Sequence, residues 1–271
     1  MMHLTQISIY PIKSCGGISL EQAQLSDRGL LYDRRWMIVD PEGNCLTQRD
    51  NVQMALIRTA IEGGKLRIWH QLKKITPLEI PLEISMQSTM EISLWGDQFL
   101  ASRHNNETDA WFSGVLGQNC HVVFMHKESR RPVDPRYAKA GEIVSGADGY
   151  PYLIIGEASL TNLNEKLIEN GGENVPMSRF RPNMVFKGGN SHIEDSWSEI
   201  QIGDVPFAAV KPCARCQLIT IDQETAAKGK EPLSTLSTYR KEGPKVLFGM
   251  NLLHKANGVI RIGDEIRTAG A

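Results

Sequence analysis

The stretch Lys211-Pro212-Cys213-Ala214-Arg215-Cys216-Gln217-Leu218-Ile219-Thr220-Ile221-Asp222 decides how the chain is read. A Cys-x-x-Cys pair of thioredoxin type opens a helix within a βαβ unit. Here the pair runs into Leu218-Ile219-Thr220-Ile221, a short β-prone run ending at Asp222, which argues for strands and against thioredoxin. A structural zinc site needs four ligands, and Cys15, Cys45 and Cys120 are scattered without a second Cys-x-x-Cys. Zinc is therefore disfavoured. Metals bind the thiolate, a form that neighbouring cations such as Lys211 and Arg215 favour. Two readings stay open at this point. Either Cys213 or Cys216 is a soft ligand to a metal whose other ligands come from a cofactor, or both are small buried residues in a strand-to-strand turn. The first reading requires anion-gripping residues elsewhere.

Working upstream, Gly203-Asp204 makes a turn between strands over 197–202 and 205–210 that deliver the chain to Lys211. Arg179-Phe180-Arg181-Pro182-Asn183 puts two arginines and an amide at the mouth of a strand over 184–186. A strand over 152–155 enters a helix with Leu160, Leu163, Leu167 and Ile168 on one face, ended by Gly171-Gly172. Ser159 at its start reads as an N-cap or a phosphate contact. The segment 129–137 is a proline-broken basic loop, either a lid over an anion or a solvated connection, with the second preferred. Downstream, a helix over 232–240 turns Leu233, Leu236 and Tyr239 inward with Pro232 in its first turn, and strands over 246–253 and 259–266 follow.

The N-terminal part is strand-rich as well. A strand over 4–10 leads into Pro11-Ile12-Lys13-Ser14-Cys15-Gly16-Gly17, where a cation, a hydroxyl and two glycines suit an anion-binding loop without the glycine pattern of a Walker A motif. Asp33-Arg34 reads as a local ion pair. Hairpin pieces fill 18–95, a helix spans 108–116 from Glu107 or Thr108 to Gly117, and a strand over 120–124 closes the region. Many short strands, few helices and no Gly-x-Gly-x-x-Gly predict a mixed, β-rich barrel architecture rather than a Rossmann fold. The division expected is 1–122 and 123–271.

Thirty Lys plus Arg balance 31 Asp plus Glu in 271 residues, which recommends neither a nucleic-acid nor a membrane-surface partner. No basic-then-apolar leader and no long apolar run appear, and five cysteines without a framework suit a reducing compartment. A cytoplasmic location is expected. No His-Asp or Ser-His dyad can be assigned and the seven histidines form no ligand pattern, so hydrolysis is disfavoured.

Together, Tyr10-Pro-Ile-Lys-Ser-Cys15, Asp33-Arg34-Arg35-Trp36, Phe180-Arg-Pro-Asn183 and Lys211-Pro-Cys-Ala-Arg-Cys216 before Thr220-Ile-Asp222 resemble the MOSC family with its N-terminal β-barrel domain. Within it the likeness is to the amidoxime-reducing component and its bacterial relatives. The resemblance covers nearly the whole chain in order. It implies a molybdenum cofactor (molybdopterin) whose metal is completed by Cys216, with Cys213 beside it in a supporting role. It implies that Lys13, Ser14 and Arg34 grip the cofactor phosphate, and that Arg181, Asn183, Ala214 and Arg215 line the pterin and metal. Asp148 matches a residue near the metal, and Arg181, Asn183 and Asp148 would steer substrate or proton. The activity implied is reduction of small N-hydroxylated compounds, with a ferredoxin or flavoprotein as electron donor in trans, or with the chain a fragment of something longer. A non-catalytic cofactor carrier and a metal-free sulfur carrier using Cys216 are the alternatives.

Overall fold

The structure is a computed structural model that describes residues 1–86 and 88–268. Seven strands close into a barrel in the order Tyr152–Gly156, Met184–Lys187, Met2–Ile9, Glu265–Thr268, Glu199–Ile202, Val205–Arg215 and Lys245–His254, the last pairing back onto the first. Leu4, Ile7, Ile154, Phe186, Ile202, Phe207 and Leu252 are sealed inside it. Burying each contributes about 1.5–3 kcal/mol. Leu4 and Ile7 share the interior despite their odd spacing because the ladder to Met184–Lys187 carries a bulge between Leu4 and Gln6. At the closing seam Gly249 has φ +82°, and a Cβ there would lie 2.7 Å from Ile155 Cγ1. The missing side chain lets Tyr152–Gly156 approach.

The remaining N-terminal residues form a second core. Trp36–Val39, His121–Phe124, Asp97–Arg103 and Thr89–Leu94 make one antiparallel sheet, and Ile57–Glu62, Lys65–His70 and Leu78–Pro81 another. The helix Asn106–Leu116 packs Phe112 and Val115 with Trp36, Leu66, Ile68 and Phe124. Its cap is Asn105, whose side chain accepts a bond from Thr108 N at 2.8 Å, ahead of the expected start at Glu107 or Thr108. Gly117 ends it at φ +71°.

Several expectations are corrected. Leu218–Ile221 is not a strand. The segment Gln217–Thr220 is a single 3-10 turn, because ladder pairing of Val205–Arg215 runs out at Arg215–Val246 and Ile219 turns down among Phe180, Leu236 and Phe248. Cys213 therefore lies within a strand and Cys216 just past its end, neither of them fully buried nor in a strand-to-strand turn. Ser159 neither caps its helix nor meets the cavity described below. Gly156 is the cap residue, and Ser159 is buried within Glu157–Glu169, donating to Glu194 at 2.8 Å. Ile168 is 55% exposed, outside the stripe of Leu163 and Leu167. The strand expected over 259–266 is two, Val259–Arg261 and Glu265–Thr268, separated by a turn at Gly263 with φ +90°.

Candidate functional site

One cavity of about 570 Å³ is lined by Lys13, Ser14, Arg34, Asp148, Arg181, Asn183, Ala214, Arg215 and Cys216 together. These are the nine residues that the resemblance assigned to cofactor, metal or substrate, drawn from segments far apart in the chain. Val205–Arg215 brings Lys211 to Arg215 to the wall along a ladder with irregularities between Ala209 and Lys211 and between Pro212 and Ala214. Such irregularities re-aim side chains that a regular strand would alternate. Cys216 follows in extended conformation, ahead of the 3-10 turn.

The part of the wall that carries Ser14, Arg34 and Arg181 is built from turns. Ser14, Arg34, Trp95 and Arg181 line the cavity with φ of 66°, 48°, 56° and 54°. Non-glycine residues hold such backbone only where their surroundings over-determine it. For Arg34 the surroundings are plain. Its backbone N donates to Tyr10 O at 2.8 Å, its Nη1 donates to Asp33 at 2.6 Å and Asn183 Oδ1 at 3.1 Å, and its Nη2 donates to Arg181 O at 3.3 Å. The Asp33-Arg34 pair expected from sequence is thus present. Asn183 is held by the scaffold, its Oδ1 also accepting from Leu153 N and its Nδ2 donating to Ser8 O, which leaves one amide N–H for a ligand. Both guanidinium groups sit over the Tyr10 ring, Arg34 at 4.5 Å and Arg181 at 4.2 Å.

Lys13 is buried, against the ordinary expectation for a lysine in a turn. Its ammonium donates to Asp148 at 2.6 Å and Gly146 O at 2.8 Å, which leaves one of three donors for a ligand. Burial lowers the Lys13 pKa, opposed by Asp148. Partial desolvation works against ionisation of Asp148 too, but the Lys13 ammonium together with Arg49 and Arg34 outweighs it and holds the carboxyl well below the usual range. Arg181 is 8% exposed and its Nη2 has no hydrogen-bond partner. Burial and then the neighbouring Arg34 push it down, and Tyr10 and Asp33 resist; at about 10 it keeps its charge at neutral pH.

The wall carries six cations, Lys13, Arg34, Arg131, Arg181, Lys211 and Arg215, against three carboxylates, Asp97, Asp134 and Asp148. In a chain of net charge −1 that is a local cationic excess, and a buried guanidinium with an unused donor calls for an anion. Among the described residues no three His, Cys, Asp or Glu side chains converge on a metal-sized site. A metal at Cys216 would take its other ligands from a cofactor, and an anionic cofactor fits the wall. Arg215 donates Nη1 to Cys213 Sγ at 3.1 Å and Nη2 to Phe180 O at 2.8 Å, so Cys213 is already engaged by the protein.

Sequence reasoning missed Arg131, Trp95 and Tyr150. Arg131 belongs to the loop expected to be solvated, yet it is 2% exposed. It donates to Asp97 at 2.8 Å, to the carbonyls of Ser145 at 3.0 Å and Ala147 at 2.5 Å, and to Asp148 O at 3.1 Å. The preference for a solvated connection is corrected, because burying this guanidinium is tolerable only with carbonyls and a carboxylate around it. Trp95 reaches the cavity at a hairpin tip, with Arg49 stacked at 3.8 Å and its indole N–H 3.3 Å from Asp148. Only the doubled arginine before Pro132 hinted at the first, and no local pattern marked the other two.

Residues 1–119 match the MOSC N-terminal beta barrel domain, and residues 141–267 match the MOSC domain. The chain is 32% identical to mitochondrial amidoxime-reducing component 1 of Mus musculus, over 98% of this chain and 82% of that one. The Homo sapiens protein of the same name is 30% identical, over 98% and 83%. Molybdenum cofactor sulfurase of Oryza sativa subsp. japonica is 32% identical over 93% of this chain but 32% of its own length. The chain thus spans about a third of the sulfurases it matches. Among solved structures, YUAD protein from Bacillus subtilis overlays with a TM-score of 0.40 at 10% identity, over 98% of this chain and 94% of that one. Among the described residues no helix is long and apolar enough to cross a membrane.

Proposed function

The chain belongs to the MOSC family, its MOSC domain preceded by the MOSC N-terminal beta barrel domain, and from that premise we propose a molybdenum-cofactor-dependent oxidoreductase that reduces N-hydroxylated compounds such as amidoximes, hydroxylamines and N-hydroxylated nucleobases. The observation that carries this reading is the shared cavity of Cys216 and the unpartnered, buried guanidinium of Arg181. A bound molybdenum cofactor would supply two-electron chemistry, and reduction of N–OH to N–H consumes two electrons and two protons and releases water. Lys13, Ser14 and Arg34 would hold the phosphate through the donors they have left. Arg181, Asn183, Ala214 and Arg215 would set the pterin, and Cys216 would offer a soft thiolate to the metal. Asp148 is kept ionised by Lys13, so at neutral pH it orients a donor group of the substrate and does not deliver a proton. Electrons would come from a ferredoxin or flavoprotein in trans.

Similarity to molybdenum cofactor sulfurases favours a second reading, a carrier that holds the cofactor without acting on a small molecule. A metal-free sulfur carrier would leave Arg181 without its anion. The test is the molybdenum and phosphorus content of protein made in cofactor-competent cells, beside Cys216→Ala and Cys213→Ala, followed by reduction of benzamidoxime by the chemically reduced protein. Stoichiometric molybdenum that is lost only in Cys216→Ala, together with benzamidine formation, is the expected result. Loaded protein that forms no benzamidine returns the carrier reading. Absence of molybdenum from the unmodified protein overturns both in favour of the sulfur carrier.

A further inference from the structure

Ser14 holds φ 66° at the third place of a turn that Cys15 N closes onto Ile12 O at 3.1 Å, a place where positive φ favours glycine. Among the described residues one hydrogen bond reaches Ser14 itself, from Gln48 Nε2 to its carbonyl at 2.7 Å, and its hydroxyl is left unbonded. The neighbours are tied separately, Lys13 N to Trp36 O and Gly16 N to Ile57 O, each at 2.8 Å. Gln48 is fully buried and does not line the cavity. Its Nε2 also donates to Gln223 Oε1 at 3.1 Å; in return Gln223 Nε2 donates to Gln48 Oε1 at 3.1 Å and to Ile221 O at 3.0 Å. All four N–H groups of the two amides are thus taken. Turning either amide over would set oxygen against oxygen, so the orientation is fixed by the pair itself.

The two glutamines are 175 residues apart. Gln48 lies in the MOSC N-terminal beta barrel domain, and Gln223 lies in the MOSC domain shortly past Cys216. Arg179 secures the same downstream segment, donating to Ile219 O at 3.3 Å and to Asp222 at 2.9 Å. The turn that carries Ser14 is therefore braced against the segment that follows Cys216. We propose that Gln48 is a positioning residue for the phosphate grip: it sets the Ser14 peptide and so the direction of the Ser14 hydroxyl, while Gln223 anchors Gln48 to the wall that carries Cys216. This rests on the reading that Lys13, Ser14 and Arg34 hold the cofactor phosphate.

Gln48→Met keeps the length of the side chain and removes both donors. In cofactor-free protein, calorimetric titration with inorganic phosphate should show binding about tenfold weaker than in wild type. In a Ser14→Ala background, itself weakened, the same substitution should do far less; losses that multiply would show that Gln48 does not act through Ser14 and overturn the assignment. Melting temperature separates positioning from scaffolding. Gln48→Met strands the Gln223 amide and should melt lower, whereas Gln48→Met with Gln223→Met puts apolar groups on both sides and should recover much of the loss. Phosphate affinity should stay low in that pair, which also carries the comparison if the single variant does not fold. Affinity that returns with the melting temperature makes the amides structural only and rejects the proposal. In cofactor-competent cells, molybdenum per folded chain should fall in both Met variants, and full retention in either counts against Gln48. A wild type without molybdenum sinks the cofactor reading instead. The phosphate titrations then judge Gln48 separately, and equal affinities, or no binding to the wild type, reject it.

Discussion

The wall that carries Lys211, Arg215 and Cys216 follows a barrel strand, whereas the wall that carries Lys13, Arg34 and Arg181 is assembled from turns. Val205–Arg215 is held by its ladders to Glu199–Ile202 and Lys245–His254. Ser14, Arg34 and Arg181 hold left-handed backbone that no ladder supports and depend on a few contacts each. A ladder spreads the fixing of one residue over many bonds, so a single substitution there acts through packing. A strained turn concentrates it, so losing one partner releases both the backbone and the charge it aims. Position on the first wall comes from the fold as a whole, and position on the second from Asp33, Tyr10 and Asp148.

The sharpest test sets Phe207→Ala against Asp33→Asn. Phe207 is fully buried in the barrel, edge-on to Tyr152 at 5.4 Å, and its truncation should cost about 3–5 kcal/mol. Asp33 is 1% exposed and accepts from both Tyr10 N and Arg34 Nη1, so its neutralisation should cost a similar amount, about 3–5 kcal/mol. Urea denaturation should rank the two variants alike. Molybdenum per folded chain should be normal in Phe207→Ala and severely reduced in Asp33→Asn. Equal retention in both would erase the distinction between the walls.

A smaller effect is expected at Asp148, whose side chain is 65% exposed. Asp148→Asn leaves the buried Lys13 ammonium without its counter-charge and should cost about 1 kcal/mol at pH 7. The Asp148 pKa is depressed in the folded state. Its contribution is therefore whole above the ordinary carboxylate value of about 4 and lost as the pH falls through the lower folded-state value. Wild type and variant should differ at neutral pH and converge in strong acid. A gap that widens on acidification would assign the stabilisation to some other group. Trp95→Ala should do least, about 0.5–1 kcal/mol for the lost stacking with Arg49, as thermal melting will show.

Much of the cavity was legible in the sequence because Lys13-Ser14, Arg34, Arg181-Pro-Asn183 and Ala214-Arg215-Cys216 each sit in a short local pattern that a glance along the chain can find. The β-rich class was legible for the same reason, strand periods and turn residues being local. Leu218–Ile221 misled because a β-prone run without a partner strand buries itself as a 3-10 turn instead. Tyr150, Trp95 and Arg131 were hidden because their importance lies in what folding packs against them.

One stave of the barrel, Met2–Ile9, precedes the other six in the chain by the whole of the N-terminal core. During synthesis it leaves the ribosome first and pairs at once only with Ile18–Leu20. Its partners Met184–Lys187 and Glu265–Thr268 arrive much later, the second of them last of all. The barrel therefore cannot close until Glu265–Thr268 has been made, with an early strand kept in reserve. A polypeptide beginning at residue 141 would offer two unpaired edges where that strand belongs, each a template for a neighbouring chain.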